Sequence, residues 1–167
     1  ISYHLPTDDF GDFPLSASVN TNNFRVTRAP ATAPSILPTP VSLFARQAIL
    51  RFEDGTPPYK VVLQSDWTKG ALGATLRSTF YGDVLSPGTL ADGSADVHTG
   101  QRSVWDLEGR YTFPHDVTLA LGADNLFDAY TRQVPVGLNT TGAAPFTSFS
   151  PFGFDGRFLY ARLSMQW

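Results

Sequence analysis

Three charged residues of one predicted strand are the first candidates for chemistry in this sequence. Asp106, Glu108 and Arg110 alternate along residues 103–113, so their side chains lie on one face of that strand. Two carboxylates on one face could serve as a general acid and a general base. The same spacing fits a polar wall in which carboxylates and guanidinium groups form ion pairs. We favour the wall, because the sequence offers little else for catalysis.

The histidines and the acidic loop do not form a metal-binding pattern. His4, His98 and His115 are spread over a predicted strand, a long loop and a short turn, so no metal-ligand spacing is present. The loop at 92–98, DGSADVH, has two carboxylates but lacks the close spacing and the bidentate Glu of a calcium loop. No glycine-rich phosphate loop follows a strand and opens a helix. We therefore expect no metal and no cofactor, and an enzyme is the least supported class.

The composition argues against several further classes of protein. The 167 residues carry a net charge of −3 without a basic stripe, which argues against a nucleic-acid partner. Only 16% of the residues are charged, against roughly 25% in a typical soluble domain. Cysteine is absent, and no apolar run approaches the roughly 18 residues of a membrane helix. Because the first residues already alternate like a strand, we expect a piece of a longer protein.

The elements that position these side chains are predicted to be long β-strands. Alternation of apolar and polar residues with a period of two recurs in seven segments. Most of them span nine to fourteen residues, whereas a tilted strand needs roughly ten residues to cross a bilayer. A stretch at 41–52 could be a strand, a short helix or part of a loop; we assign it to a loop, because a single extra strand would break the order of the turns. The predicted strands are 1–5, 13–26, 59–67, 71–82, 103–113, 117–128 and 157–167.

The connections between these strands alternate between short and long. In chain order they are 6–12, 27–58, 68–70, 83–100, 114–116 and 129–156. In an antiparallel meander all the short turns then lie on one side, as in outer-membrane barrels with short periplasmic turns and long extracellular loops. Soluble β-sandwiches and lipocalin-like barrels also show alternating strands. The membrane interpretation puts the C-terminus on the periplasmic side and predicts aromatic residues at the lipid–water boundaries, namely Tyr59, Trp67, Trp105, Tyr111, Phe113 and Trp167.

Two stretches of the chain resemble a known family. Residues 119–133, LALGADNLFDAYTRQ, and 150–167, SPFGFDGRFLYARLSMQW, are similar to the C-terminal end of TonB-dependent outer-membrane receptors. That end commonly carries G-x-x-N-L-F-D on a strand, a long loop, and a Pro-Phe-Gly entry to a last strand with a terminal aromatic residue. Arg162 stands where the family often has a glycine. The matching positions are Gly122, Asn125, Leu126, Phe127, Asp128, Tyr130, Pro151, Gly153, Gly156, Tyr160 and Trp167.

The resemblance implies an all-β fold, an antiparallel transmembrane β-barrel segment. Residues 1–167 would form the C-terminal part of a barrel of 22 strands, without the plug domain and the earlier strands. Seven strands leave two unpaired edges in lipid, so we expect that this segment does not span a membrane by itself. The family takes up a scarce, bulky solute such as a ferric siderophore, with energy delivered by the TonB complex. The alternatives are a plug-less channel or translocator barrel and a soluble β-sandwich binding module.

The same resemblance suggests which side chains contact partners. Candidates for contact with a plug domain, on the face predicted to line the lumen, are Arg77, Glu108, Arg110 and Arg162. Asn125 has a structural interpretation instead, because an Asn can bond its own backbone and end a strand. The aromatic residues of the last long loop could cover the pore mouth or contact the ligand, and packing against neighbouring loops is the alternative. The ligand candidates in this loop are Tyr130, Arg132, Phe146 and Phe149.

Overall fold

Seven strands of the chain form one antiparallel sheet. The computed structural model describes residues 1–7, 9–28, 44–139, 142 and 145–166. Within these residues the strands of this sheet pair in the order in which they follow one another along the chain, β1-β2-β3-β4-β7-β8-β9. The short strands β5 and β6 lie outside this sheet. The predicted all-β fold and the antiparallel meander are thereby confirmed. The elements are β1 Ser2–Thr7, β2 Gly11–Thr21, α1 Arg46–Glu53, β3 Tyr59–Lys69, β4 Leu72–Tyr81, β5 Leu85–Ser86, β6 Val97–His98, β7 Arg102–Phe113, β8 Val117–Asp124 and β9 Phe158–Met165.

The register of the strands separates the sheet into an apolar and a polar face. Residues directly opposite each other on antiparallel strands point to the same side. Leu76 lies opposite Leu107, and Leu119 lies opposite Leu163. On the other side of the sheet, Arg77 lies opposite Asp106. The alternation in the sequence therefore places apolar side chains on one face, called the apolar face below, and most of the charged side chains on the other, called the polar face.

The apolar face is exposed and does not pack into a closed core. The side chains of Leu107, Leu121 and Leu163 are 41%, 59% and 71% exposed. A soluble protein of this size rarely leaves so many large apolar side chains uncovered on one contiguous surface. In the described residues, the buried apolar side chains of the sheet are Val104, Ala120 and Ala123. Burial of this face therefore requires apolar groups from outside the described sheet.

Two strands end four or five residues earlier than their alternation predicts. β2 ends at Thr21 and not at residue 26, and β8 ends at Asp124 and not at residue 128. Beyond β8, Asn125 and Asp128 have φ angles of 51° and 57°, which lie in the left-handed region and cannot continue a strand. The seven strands of the sheet span six to twelve residues. β2, β4, β8 and β9 are shorter than predicted, whereas β1, β3 and β7 are one or two residues longer.

Short and long connections alternate as predicted. The short ones are residues 8–10, 70–71 and 114–116, all at one end of the sheet. Gly11 beside the first of them has a φ of 90°, and a Cβ at this position would overlap the carbonyl oxygen of Thr68. His115 and Asp116 in the third turn also have positive φ angles, which matches the right-handed twist of a tight hairpin.

The long connections carry the remaining secondary structure. The stretch at 41–52, predicted to be part of a loop, contains all of α1 except its last residue, Glu53, and residues 41–43 lie outside the described residues. No helix in the described ranges is long and apolar enough to cross a membrane. The second long connection contains the two-residue strands β5 and β6, which pair with each other. The most deeply buried side chains that the structure describes, Val84 and Thr99, lie here and not in the middle of the sheet.

Candidate functional site

Ion pairs join neighbouring and next-neighbouring strands on the polar face. Arg77 of β4 and Asp106 of β7 are directly opposite, and their Nη2 and Oδ2 atoms are 2.8 Å apart. Arg162 of β9 reaches across β8 to Glu108 of β7, with Nη2 2.9 Å from Oε2 and 3.0 Å from Oε1. Both carboxylates are largely buried beneath their arginine partners. Three of the four residues predicted to face the lumen thus form ion pairs within the sheet.

Small residues on β8 allow the contact between β7 and β9. Ala120 lies opposite Arg162, and Gly122 lies opposite Tyr160. The ring of Tyr160 covers Gly122 so closely that a Cβ at this position would overlap it. From there the Tyr160 hydroxyl donates a hydrogen bond of 2.9 Å to Glu108 Oε2. Arg162 stands at the position where the resembled family often has glycine. Its side chain therefore belongs to a cluster with Tyr160 and Glu108 that connects β9 to β7.

The fourth predicted lumen residue, Arg110, belongs to a separate hydrogen-bonded chain. Its Nη1 donates to Thr75 Oγ1 at 2.9 Å, and the Thr75 hydroxyl donates to Asp66 Oδ1 at 2.6 Å. Gln64 donates to the other carboxylate oxygen of Asp66 at 2.8 Å. Arg110 lies over Gly73 of β4, where a Cβ would overlap its guanidinium group. Glycine inside a strand can mark a close approach of this kind, so Gly73 and Gly122 carried a signal that sequence reasoning did not use.

This arrangement suits a polar wall better than an acid–base pair. Asp106 and Glu108 are each engaged by an arginine, whereas a general acid must carry a proton that it can release. A shallow groove of about 280 Å³ runs beside them, lined by polar side chains that include Asp66, Thr75 and Tyr160. No three His, Cys, Asp or Glu side chains of the described residues come together as metal ligands. His98 pairs with Asp83 at 2.6 Å, and His4 lies 3.7 Å from Asp12.

The NLFD stretch, residues 125–128, is a turn that connects three strands. The Asn125 side chain accepts a hydrogen bond from the Ala129 amide and donates one to the Ala129 carbonyl, both at 2.8 Å. The Asn125 amide donates to Asp106 Oδ1 of β7 at 2.9 Å. At the other end of the turn, Asp128 Oδ1 accepts a hydrogen bond from the amide of Arg157, just before β9. The structural interpretation of Asn125 accounts for all of these contacts.

The ligand candidates of the last long loop contact other loop residues. Tyr130 and Phe146 stack with their ring centroids 4.9 Å apart and their planes 10° apart. The Phe149 ring lies beneath the Arg51 guanidinium, at 5.9 Å. The Arg132 backbone amide donates a hydrogen bond to the Thr99 carbonyl, and the Arg132 side chain is exposed. A hydrogen bond to the Asp128 carboxylate raises the pKa of the Tyr130 hydroxyl above its ordinary value. Packing between loops therefore accounts for the placement of these rings, and contact with a ligand stays a prediction.

The predicted boundary aromatics lie at both ends of the apolar face. Trp67, Tyr111 and Phe113 lie towards the short turns, where Trp67 donates its indole N–H to the Phe10 carbonyl at 2.7 Å. Tyr59 is the first residue of β3, beside the long connections. Trp105 is the fourth residue of β7, in the half of that strand nearer the long connections but in register with Ser78 and Leu63. Trp167 lies outside the described residues. Aliphatic and small side chains separate the two groups, and a place at the lipid–water boundaries stays a prediction for these aromatic residues.

The comparisons with known proteins agree with this architecture. No protein-family model matches the sequence, and no curated protein matches it. Among the solved structures that match, one variant of the ferric enterobactin receptor of Pseudomonas aeruginosa superposes with a TM-score of 0.52 at 21% identity. Another variant, in complex with enterobactin, superposes with a TM-score of 0.51 at 22% identity. Each match covers 97% of this chain and 21% of the receptor.

The chain thus spans about a fifth of the length of the receptor that it matches. Identity at this level establishes a common fold and leaves activity and substrate open. The described chain has the fold of a β-barrel segment of a TonB-dependent receptor, as its resemblance to the C-terminal end of that family predicts.

Proposed function

We propose that residues 1–167 form the C-terminal part of the barrel of an outer-membrane receptor that takes up a scarce solute in a TonB-dependent manner. The observation that carries the proposal is the division of the sheet into an exposed apolar face and a polar face with internal ion pairs. Lipid can cover the first face, and a hydrated or plugged lumen can contact the second. The fold likeness to a ferric enterobactin receptor supports a ferric siderophore or a similar chelate as the solute.

In this role the segment supplies barrel wall, the closing strand and extracellular loop surface. The short turns and the C-terminus lie on the periplasmic side, and the three long connections face the outside. The plug domain and the earlier strands come from the rest of the protein, and the TonB complex acts on parts outside this segment. Arg77, Glu108, Arg110 and Arg162 line the lumen, where they can contact the plug. Tyr130, Arg132, Phe146 and Phe149 are the candidates for contact with the solute.

The test uses the full-length protein that contains this segment. In a Gram-negative host we expect it in the outer-membrane fraction, and we expect uptake of a radiolabelled ferric siderophore that stops when TonB is deleted. A panel of ferric chelates of different chemistry would identify the class of solute. Recovery of the full-length protein from the soluble fraction would contradict the proposal, as would uptake that is unaffected by the loss of TonB.

A plug-less channel or translocator is the second candidate, because the paired charges would also suit an open aqueous pore. Planar bilayer recordings separate the two functions. A receptor with its plug in place should show little steady conductance until urea extracts the plug, whereas an open channel should conduct from the start. If the plug contacts the wall through ion pairs, charge reversal at Arg110 should lower the urea concentration at which conductance appears.

A further inference from the structure

Helix α1 lies at the long-connection end of the sheet and contacts the two other long connections. It belongs to the first long connection, between β2 and β3. None of its residues is buried, and its N-cap residue Ala45 makes no side-chain cap hydrogen bond. A single helix of eight residues is marginal in water without tertiary contacts. Its stability therefore depends on what it touches.

The contacts of α1 with the second long connection, residues 82–101, involve both of its ends. At the first turn, Arg46 and Asp96 form a bidentate ion pair, in which Nη1 lies 3.1 Å from Oδ1. Gln47 donates to the Pro87 carbonyl at 2.9 Å. At the other end, the backbone carbonyl of the C-cap residue Asp54 accepts a hydrogen bond of 2.8 Å from the Leu85 amide. Three separate contacts thus connect the helix to this connection.

The same helix reaches the third long connection, residues 125–157. Arg51, in the last turn of α1, lies over the ring of Phe149. Arg46 and Arg51 are five positions apart in sequence, and they contact different connections. One short helix therefore contacts two segments that lie about 40 and 100 residues further along the chain.

We propose that α1 is a brace that holds the three long connections together, and that the Arg46–Asp96 ion pair is the contact on which the brace depends. The Asp96 carboxylate also accepts a hydrogen bond of 2.8 Å from the Gly88 amide, so it organises its own connection and binds the helix at once. Gly93 has a φ of 78°, and a Cβ there would come within 2.9 Å of Arg46 Nη2. The absence of a side chain at Gly93 thus leaves the space in the second long connection that the Arg46 guanidinium occupies. The position of the brace at the mouth of a transport barrel rests on the proposed function, but the contacts themselves do not.

The test is hydrogen exchange, followed by mass spectrometry, on the full-length protein in detergent. The Leu85 amide is the reporter, because its hydrogen bond to the Asp54 carbonyl joins the second long connection to the end of α1. Arg46→Gln and Asp96→Asn should each raise exchange of the segment around Leu85 roughly two- to tenfold, the range for a partly buried charge-assisted contact. Residues 129–133 should stay unchanged, because the Arg132 amide bonds Thr99 independently of the helix.

A matched control is Asp92→Asn, which removes the same charge from the same connection. Asp92 bonds Ser94 and interacts with Arg46 only through the longer-range attraction of their charges, so exchange at Leu85 should change less than in Asp96→Asn. The swapped pair Arg46→Asp with Asp96→Arg should restore part of the protection. Should a variant fail to fold, raising the salt concentration on the unaltered protein gives the same readout.

Three results would overturn the brace. They are unchanged exchange at Leu85 in both single variants, a change confined to residues 46–54, and an equal change in Asp92→Asn. None of these readouts depends on transport. A protein whose solute uptake is unaffected by the loss of TonB but that shows the expected exchange would contradict the proposed function and leave the brace intact.

Discussion

At the scale of single residues, the polar face depends on glycine at two positions where a large side chain lies over the backbone. Gly122 beneath Tyr160 is the sharper case, because Tyr160 also bonds Glu108. Gly122→Ala must displace the tyrosine ring, and this should break the cluster of Tyr160, Glu108 and Arg162. Overpacking of this kind costs about 1–3 kcal/mol. We expect that loss in the urea unfolding of the full-length protein.

Gly109 provides the matched control for this substitution. It lies on β7, on the apolar face, and a Cβ there would meet no atom within 4 Å. Gly109→Ala should be neutral or slightly stabilising, because it lowers the entropy of the unfolded chain. Equal effects of the two substitutions would mean that the backbone, and not the Tyr160 ring, determines the cost at Gly122.

Asn125 combines a strained backbone angle with two side-chain hydrogen bonds, and the two contributions can be separated. Asn125→Ala loses both hydrogen bonds to Ala129. The alanine keeps a Cβ at a φ of 51° but has no side-chain hydrogen bonds to stabilise that angle. We expect a loss of about 2–3 kcal/mol in the same urea assay. Asn125→Gly relieves the backbone and loses only the bonds, so its cost should be about 1 kcal/mol smaller. If both variants unfold at the same urea concentration, the backbone angle contributes nothing.

At the scale of elements, the strands could be predicted from the sequence, but their ends and the contacts between the long connections could not. Alternation in 103–113 gives the correct face for Trp105 and for Glu108, because a strand repeats every two residues. The same alternation runs past Asp124, and only the side-chain bonds of Asn125 explain why β8 ends there. The pair of Arg46 and Asp96 joins residues separated by 50 positions, and no periodicity in the sequence relates them.

The pairing of α1 with the second long connection should depend on pH in one direction only. The hydrogen bond and charge of Arg46 lower the pKa of Asp96 below its ordinary value of 3.8. A carboxyl group whose pKa is lowered by folding adds stability above its unfolded pKa, and this stability is lost as the pH falls through the folded pKa. The exchange difference at Leu85 between the unaltered protein and Asp96→Asn should therefore be constant from about pH 5 to 8. It should begin to fall only below about pH 4, and it should be lost once the pH is below the lowered pKa of Asp96. A difference that already changes between about pH 5 and 8 would contradict this role of the Asp96 carboxylate.

At the scale of the whole molecule, the two edges of the sheet determine what this segment can do alone. Within the described residues, β1 and β9 each pair on one side only. Backbone groups without partners in lipid cost several kcal/mol each. We therefore expect that residues 1–167, produced alone, neither insert into lipid vesicles nor conduct as a monomer. Insertion as a monomer with steady conductance would show that the segment closes on itself.

The assignment of the two faces of the sheet can be tested by placing the same charge on each face at the same depth. Leu63 and Val62 are adjacent in the middle of β3, with Leu63 on the apolar face and Val62 on the polar face. If the apolar face contacts lipid, Leu63→Arg should destabilise the full-length protein in bilayers by about 2–4 kcal/mol, the cost of an arginine near the bilayer midplane. Val62→Arg should cost much less, because its guanidinium group lies on the polar face, where it can stay hydrated. Reversible unfolding from lipid vesicles in guanidinium chloride measures both. A larger cost for Val62→Arg would assign the faces the other way round, and equal small costs would mean that neither face contacts lipid.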